Sequence, residues 1–346
     1  MGRLVEIESS SYDPAGVNRL ADELSKEWKK RGARVERIRT ARAAGRGDLL
    51  RCEVRPRKGA EKEQILVLGH TDTVYERGTL ARAPFRVRGG RAYGPGTLDM
   101  KAGLAIALAA MDALGAAGLE PRRRVVFLWT PDEEVGSEVS RAKIEREARR
   151  SAAVLVLEPG TGPRGKLKTA RKGVGEFTLE VTGRAAHAGV NPESGVNAVH
   201  ELAMQIARVA RFGDARRGIT VNADVIEGGT RTNVIAEHAR ARVDVRVARA
   251  ADIPRVTARF RALRPILPGA RLRVSGGIDR PPMERRVAER LFAQAQRRAR
   301  ELGMQIEESS TGGGSDGNFT AALGVPTLDG LGAAGAGAHT PGEYIR

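Results

Sequence analysis

The 346-residue sequence predicts an α/β protein with a mostly parallel sheet, interrupted by a smaller α+β domain. Three observations predict this organisation. Short apolar strands alternate with helices up to residue 172, which is typical of a sheet covered on both faces. Between residues 173 and 280 the strands instead alternate apolar and polar side chains, as half-buried strands do. From residue 281 the α/β pattern resumes, so we expect the second domain to be inserted into the first.

The main domain is predicted to begin with an amphipathic helix over residues 15–32, where apolar residues recur at helical spacing and a glycine follows. Strands are then expected at short apolar runs, and helices at the longer amphipathic runs between them. The predicted strands cover residues 65–70, 124–130 and 152–160, and the predicted helices cover residues 99–118 and 137–150.

The inserted segment is predicted to follow the order β-α-β-β-α-β, which is the ferredoxin-like arrangement. Its strands are expected at residues 174–183, 218–229, 233–247 and 270–277, and its helices at residues 194–211 and 252–265. A further helix over residues 287–303 marks the return to the main domain. The predicted division is therefore 1–172, 173–280 and 281–346.

The formal net charge of +17 raises the alternative of a protein that binds nucleic acid, because clustered Lys and Arg neutralise phosphates. The basic residues are spread along the whole chain, with few aromatic residues between them to stack on bases. We therefore expect a solvated, arginine-rich surface and no nucleic-acid partner. A general attraction for anionic substrates stays open.

Other features of the sequence narrow the class further. No run of 18 or more apolar residues occurs, so we expect no membrane partner. The first residues lack the apolar core of a signal peptide, so the expected location is the cytoplasm, with removal of an export signal left open. Cys52 is the single cysteine, which excludes an intrachain disulfide and a cysteine-based zinc finger.

Potential metal ligands follow three of the predicted strands, and a further acid stands near the start of a helix after a Gly-rich turn. Because ligands gather beyond the carboxyl ends of the strands in open α/β sheets, we expect these side chains to meet at one edge. The residues concerned are His70, Asp72, Asp99, Asp132, Glu133, Glu134 and Glu158.

Taken singly, His70 is compatible with a structural histidine and Asp99 with a helix N-cap. Taken together, several carboxylates at one sheet edge need a positive counter-charge. One histidine with several carboxylates suits zinc or a similar divalent ion, and Asp72 can accept the free ring N–H of His70. The adjacent Glu133 and Glu134 allow one carboxylate to bind metal while the other holds a proton. Two ions bridged by a carboxylate would form a co-catalytic hydrolase centre.

Seven motifs give the sequence a resemblance to a known family. In chain order they are "GHTDTV", "GPGTLDMKAG", "TPDEEVGS", "LEPG", "GRAAHAG", "TGGGSDGN" and "GAHTPGEY". They resemble the aminoacylase and glutamate carboxypeptidase family of di-zinc metallopeptidases, and within it the folate-cleaving carboxypeptidase G type. The resemblance implies a phosphorylase/hydrolase-like catalytic domain in two parts, 1–172 and 281–346, with residues 173–280 as a lid and dimerisation domain.

The resemblance also implies two zinc ions per subunit, or other divalent ions such as Co²⁺ or Mn²⁺. Asp99 would bridge them, His70 and Glu158 would hold one, and Glu134 and His339 would hold the other. The peptide bond after Asp99 would be cis.

Three further roles follow from the resemblance. Glu133 would be the general base, and Asp72 would support the ligands from behind. His187 would reach the active site of the partner subunit and stabilise the oxyanion, so a homodimer formed through the inserted domain would be part of catalysis.

For the substrate, Asn233 and Arg246 match positions that contact the scissile carbonyl region and the free α-carboxylate. Lys166 and Arg280 match a cationic pair that receives the glutamate side chain, and the loop around Gly313 would lie beside the released amino acid. The expected activity is the removal of a C-terminal glutamate, or a similar residue, from an N-acyl or peptide substrate, folate-like ones included. An N-acyl-amino-acid deacylase or a dipeptidase is the alternative. Family members usually have a longer first helix and a further helix after the last histidine motif, so the resemblance implies a fragment or a trimmed chain.

Overall fold

The computed structural model describes residues 1–56 and 63–346, which form two compact units. Unit 1 comprises Met1–Ala170, Met283–Thr311 and Ser315–Arg346, and unit 2 comprises Arg171–Pro282 and Gly312–Gly314. The short segment Gly312–Gly314, which the sequence analysis left in the main domain, therefore groups with unit 2.

Helices and strands are numbered in chain order. Within the described residues the α-helices are α1 (Gly2–Val5), α2 (Pro14–Lys30), α3 (Thr79–Arg82), α4 (Ala102–Ala116), α5 (Arg141–Ala148), α6 (Ala198–Ala210), α7 (Ile253–Arg261), α8 (Arg285–Glu301) and α9 (Gly317–Ala322). Among these described segments, no helix has the length and apolar character needed to cross a membrane.

The strands of the same residues are β1 (Arg34–Ile38), β2 (Leu49–Val54), β3 (Gln64–His70), β4 (Arg86–Arg88), β5 (Arg91–Tyr93), β6 (Val125–Thr130), β7 (Ser151–Val156), β8 (Leu167–Arg171), β9 (Gly173–Thr182), β10 (Thr220–Gly228), β11 (His238–Val247), β12 (Arg271–Arg280), β13 (Glu308–Thr311), β14 (Thr327–Leu328), β15 (Gly335–Ala336) and β16 (Tyr344–Ile345).

The main sheet of unit 1 has six strands in the order β1-β2-β6-β3-β7-β14. The four strands β6, β3, β7 and β14 are parallel, as the alternation of strands and helices predicts. Strands β1 and β2 were not predicted and pair antiparallel, so the whole sheet is mixed. Strand β1 has the sequence RVERI. Charged residues are common in edge strands, and here they leave too few apolar residues for the sequence pattern to predict a strand.

Both faces of this sheet are packed against helices, because successive side chains of a strand point to opposite faces. In β6, Phe127 and Trp129 join the core formed with α2 and α4, whereas Val126 and Leu128 join the core formed with α5 and α9. Trp28 of α2 packs on Phe127 with ring centroids 4.1 Å apart. This two-sided packing fixes the carboxyl ends of β3, β6 and β7, from which most of the candidate ligands extend.

A second, small sheet of unit 1 has the strand order β15-β16-β5-β4. Tyr344 of β16 pairs with Tyr93 of β5, and their rings lie 5.4 Å apart. The pairing brings the last residues of the chain next to the Gly-rich turn that precedes α4.

Unit 2 contains the order β9-α6-β10-β11-α7-β12, and its sheet has the strand order β10-β11-β9-β12 with every pair antiparallel. This topology is that of a ferredoxin-like arrangement. Alternate residues of β9 face the two helices, where Phe177 stacks on Phe260 of α7 with ring centroids 4.0 Å apart.

Candidate active site

His70 is the last residue of β3, and its side chain is buried. The ring nitrogen Nε2 lies 3.2 Å from Asp99 Oδ1 and 3.4 Å from Glu158 Oε1. The other nitrogen, Nδ1, lies 2.9 Å from the backbone carbonyl oxygen of Asp72 and 3.4 Å from its Oδ1. The carbonyl oxygen is thus the nearer acceptor for the free ring N–H, where the sequence analysis expected the carboxylate.

Asp99 lies just before α4, in a turn that needs a glycine. Gly96 has a φ of 71°, and a Cβ there would come 2.7 Å from Thr73. Helix α4 begins at Ala102, so Asp99 is not the N-cap that it resembles in the sequence. The Asp99–Met100 peptide bond is cis, as the resemblance implies.

The two carboxylate oxygens of Asp99 face different histidines. Oδ1 lies near His70, and Oδ2 lies 3.3 Å from Nε2 of His339. The same nitrogen of His339 lies 3.3 Å from Glu134 Oε2. Asp99 therefore stands between two histidine-carboxylate groups, and Glu158 and Glu134 complete one group each.

Glu158 follows β7 by two residues and is 7% exposed. The chain there packs tightly against α4, because a Cβ on Gly103 would lie 2.2 Å from the carbonyl oxygen of Leu157. The glycine in the DMKAG motif therefore allows the start of α4 to approach the loop that carries Glu158.

Asp72 connects the end of β3 to the acidic turn after β6. Its carboxylate accepts the backbone N–H groups of Glu133 (3.1 Å) and Glu134 (3.2 Å) and the hydroxyl of Ser11 (2.7 Å). A ligand atom from Glu133 also lies within 4.8 Å of those of His70 and Glu158. Asp72 therefore orients the turn that presents both glutamates.

Asp132 differs from its two acidic neighbours. The sequence analysis grouped it with the candidate ligands, but its buried carboxylate accepts the backbone N–H of Val139 at 2.8 Å and the hydroxyl of Ser140. Burial raises the pKa of Asp132 to about 6. Asp132 is absent from the two groups of clustered ligand atoms found among the described residues, because its oxygens accept hydrogen bonds from the turn that follows it.

The spacing of the ligand atoms tests whether a metal ion fits this cluster. The four distances from Nε2 of His70 and of His339 to carboxylate oxygens are 3.2, 3.4, 3.3 and 3.3 Å. Charge-assisted hydrogen bonds are shorter, about 2.7–2.9 Å. Two ligand atoms on one tetrahedral zinc ion lie about 3.3 Å apart when each bond is about 2.0–2.1 Å. The spacing and the imidazole and carboxylate donors therefore fit a divalent ion such as zinc.

The electrostatics of the cluster agree with that fit. Burial opposes a charge on His70, but hydrogen bonds, first with Asp72, raise its pKa well above the usual range. Hydrogen bonds with Asp99 and Glu134 raise the pKa of His339 to about 10. Burial opposes ionisation of Asp99, yet the two imidazoles hold its pKa far below normal, whereas burial raises the pKa of Glu134. The cluster thus requires positive charge, from protons or from metal.

His187 and Asn233 belong to unit 2 and lie close to each other there. His187 forms an isolated bridge with Val234, and the carbonyl oxygen of Asn233 accepts the N–H of Ala188 at 3.0 Å. The N–H of Gly189 donates to Nδ1 of the exposed His187 ring at 3.1 Å. Nε2 is therefore the nitrogen that carries the hydrogen of the neutral ring and can donate it.

The glycine loop 312–314 is held by arginines of the same unit. Arg246 donates to the carbonyl oxygen of Gly312 at 3.3 Å and pairs with Asp244. Arg171 donates to the carbonyl oxygens of Gly313 and Gly314.

The other two candidate cations have different surroundings. Arg280 is 8% exposed, and its side chain passes over Gly314. Lys166 belongs to unit 1, where its Nζ lies 2.6 Å from Glu307. Arg164 pairs with the same carboxylate at 2.6 Å. A glutamate side chain that binds Lys166 would therefore compete with Glu307.

Three residues near the cluster escaped the sequence analysis. Ser11 bonds to Asp72, Glu343 accepts the N–H of Asp99, and Tyr75 bonds to Glu343. Glu343 lies inside the GAHTPGEY motif, four residues after His339, so the motif itself could have indicated this residue.

Comparisons with known proteins agree with this geometry. The sequence profile of peptidase family M20/M25/M40 matches residues 66–346. Carboxypeptidase G2 of Pseudomonas sp. (strain RS-16) is 33% identical over 351 residues, which cover 99% of this chain and 83% of the relative. Succinyl-diaminopimelate desuccinylase of Paraburkholderia xenovorans (strain LB400) is 30% identical, with 83% of this chain and 79% of the relative covered.

A solved structure also matches nearly the whole chain. The aminopeptidase PepT of Bacillus cereus ATCC 10987 superposes with a TM-score of 0.81 and 25% identity, covering 99% of this chain and 91% of that one. The range matched by the family profile, residues 66–346, contains every member of the cluster from His70 to His339.

Proposed function

The chain belongs to peptidase family M20/M25/M40, and from this premise we propose that it is a zinc-dependent exopeptidase that releases a C-terminal amino acid, preferably glutamate, from N-acyl or peptide substrates. The observation that carries the proposal is the placement of Asp99, whose two oxygens face two separate histidine-carboxylate groups.

Asp99 is the proposed bridge between two ions. His70 and Glu158 would complete one site, and Glu134 and His339 the other. Bound divalent ions supply Lewis acidity toward the scissile carbonyl and toward the attacking water. The ligands need no thiolate, in agreement with the single, buried Cys52.

Glu133 is the proposed general base. Its carboxylate takes a proton from the attacking water and later delivers that proton to the leaving nitrogen. Asp72 supports this role, because its hydrogen bond to the N–H of Glu133 holds the turn in place. The two adjacent glutamates would thus have different roles, with Glu134 as a ligand beside His339 and Glu133 as the base.

His187 is the proposed donor to the oxyanion that develops on the scissile carbonyl, supplied by the partner subunit of a homodimer. The hydrogen bond from Gly189 to its Nδ1 supports this role, because it leaves a hydrogen on Nε2. Unit 2 would then act as lid and dimerisation domain, and Asn233 would contact the scissile carbonyl region.

The proposed substrate carries two carboxylates. Arg246 would bind the α-carboxylate through its planar guanidinium group, while Arg280 and Lys166 would receive the side chain beside Gly313. The similarity to carboxypeptidase G2 supports a carboxypeptidase, and the family resemblance at Lys166 and Arg280 is the reason for proposing glutamate as the released residue. The ion pair of Lys166 with Glu307 makes Lys166 the weakest member of this set.

A substrate panel tests the proposal. The zinc-loaded protein would be assayed in parallel on folyl-glutamate, N-acetylated amino acids and dipeptides. We expect folyl-glutamate to give the highest kcat/KM, and we expect Arg280→Ala to lower that value more than the value for a substrate ending in alanine. Arg273→Ala is the matched control, because Arg273 is an exposed arginine of the same strand. Equal rates for glutamate and alanine substrates in the parent protein would reject the glutamate preference.

A deacylase is the second candidate, because succinyl-diaminopimelate desuccinylase is also similar to the chain. Deacylase and exopeptidase share the metal centre and the base, and they differ in which side of the amide is recognised. Faster hydrolysis of N-acetyl or N-succinyl amino acids than of folyl-glutamate in the same panel would favour the deacylase.

A further inference from the structure

Glu343 is buried beside the candidate metal centre, yet it belongs to neither histidine-carboxylate group. It is 1% exposed, and its carboxylate accepts three backbone N–H groups of the turn that carries Asp99. The donors are Gly96 (3.1 Å), Leu98 (2.5 Å) and Asp99 itself (2.9 Å). A carboxylate with this many donors fixes the position of the backbone around it.

Tyr75 links Glu343 to two other loops. Its hydroxyl bonds to Oε2 of Glu343 and lies 2.8 Å from the carbonyl oxygen of Thr340. Tyr75 belongs to the loop that leaves β3 after His70, and Thr340 directly follows His339. The Glu343–Tyr75 pair therefore touches all three loops that carry a histidine ligand or the bridging carboxylate.

We infer that Glu343 and Tyr75 are positioning residues for the metal centre: together they set the distance of Asp99 from His70 and from His339. This inference rests on the proposed function, since it assumes that these residues hold divalent ions. Partners that orient metal ligands commonly change metal affinity about 10- to 100-fold when they are replaced.

The backbone next to Glu343 is held in place independently of the Glu343 side chain. A role of this side chain in positioning the metal centre can therefore be distinguished from a role in folding. Strand β16 pairs with β5 through backbone hydrogen bonds, beginning at Tyr344. The side chain of Glu343 takes no part in that pairing. In Glu343→Gln the side-chain amide keeps one oxygen that can accept a hydrogen bond. Its NH₂ group can only donate, so it cannot accept the hydrogen bonds of the backbone N–H groups that it faces. Strand β16 would remain, and the hydrogen bonds between the side chain of residue 343 and the turn that carries Asp99 would weaken.

The test is metal binding by the full chain, measured apart from activity. Parent and variant proteins are stripped with a chelator, then titrated calorimetrically with Zn²⁺ and spectroscopically with Co²⁺. We expect Glu343→Gln to weaken binding of at least one ion about 10- to 100-fold and to change the Co²⁺ absorption bands. Tyr75→Phe removes only the hydroxyl, and we expect a smaller loss in the same direction.

Glu201→Gln is the matched control. Glu201 is also a buried carboxylate that accepts two backbone N–H groups, those of Ile266 and Leu267, and one side-chain donor, Gln205. It belongs to unit 2, and none of these three hydrogen-bonding partners is a candidate metal ligand. We expect this variant to bind both metals within about twofold of the parent, even where its melting temperature falls as far as that of Glu343→Gln.

The outcomes separate this inference from the proposed function. Parental metal affinity and an unchanged Co²⁺ spectrum in both Glu343→Gln and Tyr75→Phe would overturn the inference alone. Equal weakening in Glu201→Gln would overturn it too, because the effect would then reflect general destabilisation. If Glu343→Gln does not fold, Tyr75→Phe decides the matter. A parent chain that binds neither metal would overturn the proposed function and the inference together.

Discussion

Glu133 is the residue whose replacement separates proton transfer from metal binding. Glu133→Gln keeps the size of the side chain and removes its basicity. We expect kcat to fall about 10²- to 10⁴-fold, the usual contribution of a general base. Metal content, measured by elemental analysis, should stay at the parental level, because the proposed ligands are unchanged. Parental activity in this variant would contradict the role of Glu133, and loss of metal would make Glu133 a ligand instead.

The candidate site was predictable wherever a side chain stands at the end of a strand or inside a short motif. His70, Asp99 and His339 are scattered over 270 residues of sequence. The structure brings Nε2 of His70 to 3.2 Å and Nε2 of His339 to 3.3 Å from the two oxygens of Asp99. Three consecutive acids do not reveal which of them reach the cluster, and of the three Glu133 and Glu134 place ligand atoms in it. Ser11 was missed because its partner lies 61 residues further along the chain.

At the level of elements, the approach of α4 to the loop after β7 depends on Gly103. A Cβ at this position would lie 2.2 Å from the backbone of Leu157, so Gly103→Ala forces the helix and the Glu158 loop apart. We expect a loss of about 1–3 kcal/mol in the free energy of unfolding, as for other overpacked sites, and weaker metal binding. Chemical denaturation and metal titration measure the two effects.

Gly115→Ala is the matched control in the same helix. A Cβ on Gly115 meets no other atom within 4 Å, so alanine should stabilise the helix by about 0.5–1 kcal/mol. If both variants changed stability equally, the close approach at Gly103 would have no consequence.

Helix α2 offers a test of stability against pH. Hydrogen bonds from Lys30 and Arg31 lower the pKa of the mostly buried Glu27 to about 2. A depressed folded-state pKa stabilises the protein above the unfolded value, about 4.3, and this stabilisation disappears as the pH falls toward 2. We expect Glu27→Gln to cost about 1–2 kcal/mol at pH 7, because the exposed Lys30 limits the gain.

The cost of Glu27→Gln should shrink between pH 4.3 and 2, the window set by the two pKa values. Urea denaturation of both proteins at several pH values measures it. A cost that does not change with pH would show that Glu27 acts through packing alone.

The elements themselves were predictable to different extents. Helices α2, α6 and α8 and strands β3, β6 and β9 follow clear apolar periodicity, and the structure has them within a few residues of the expected bounds. Strands β1 and β2 are short and contain charged residues, so their placement depends on pairing with a neighbour, β2 with β6 and β1 with β2, and not on their own pattern.

At the scale of the whole molecule, catalysis by a partner's histidine can be tested by mixing two inactive variants. His187→Ala lacks the oxyanion donor, and Glu133→Gln lacks the base. In a mixed dimer, the subunit with Glu133 intact would receive His187 from its partner, so one of the two sites would be complete. Random exchange in an equal mixture should restore about a quarter of the parental activity. No recovery after subunit exchange, shown by mass-labelled subunits, would contradict donation across the dimer.

The charge of the whole chain has a simpler consequence. The net charge of +17 favours the approach of anionic substrates, and many arginines pair with acids on the surface, as Arg242 does with Glu176. We therefore attribute the basic composition to the surface, and the attraction of anionic substrates stays a prediction.

The claim on which the account depends is that residues from His70 to His339 hold a pair of cations around Asp99. The most direct measurement is an anomalous difference map from crystals of the zinc-loaded protein, recorded at the zinc absorption edge. We predict two peaks about 3.5–4 Å apart, one beside His70 and Glu158 and one beside Glu134 and His339. A map with no peak in contact with Asp99 would contradict the account.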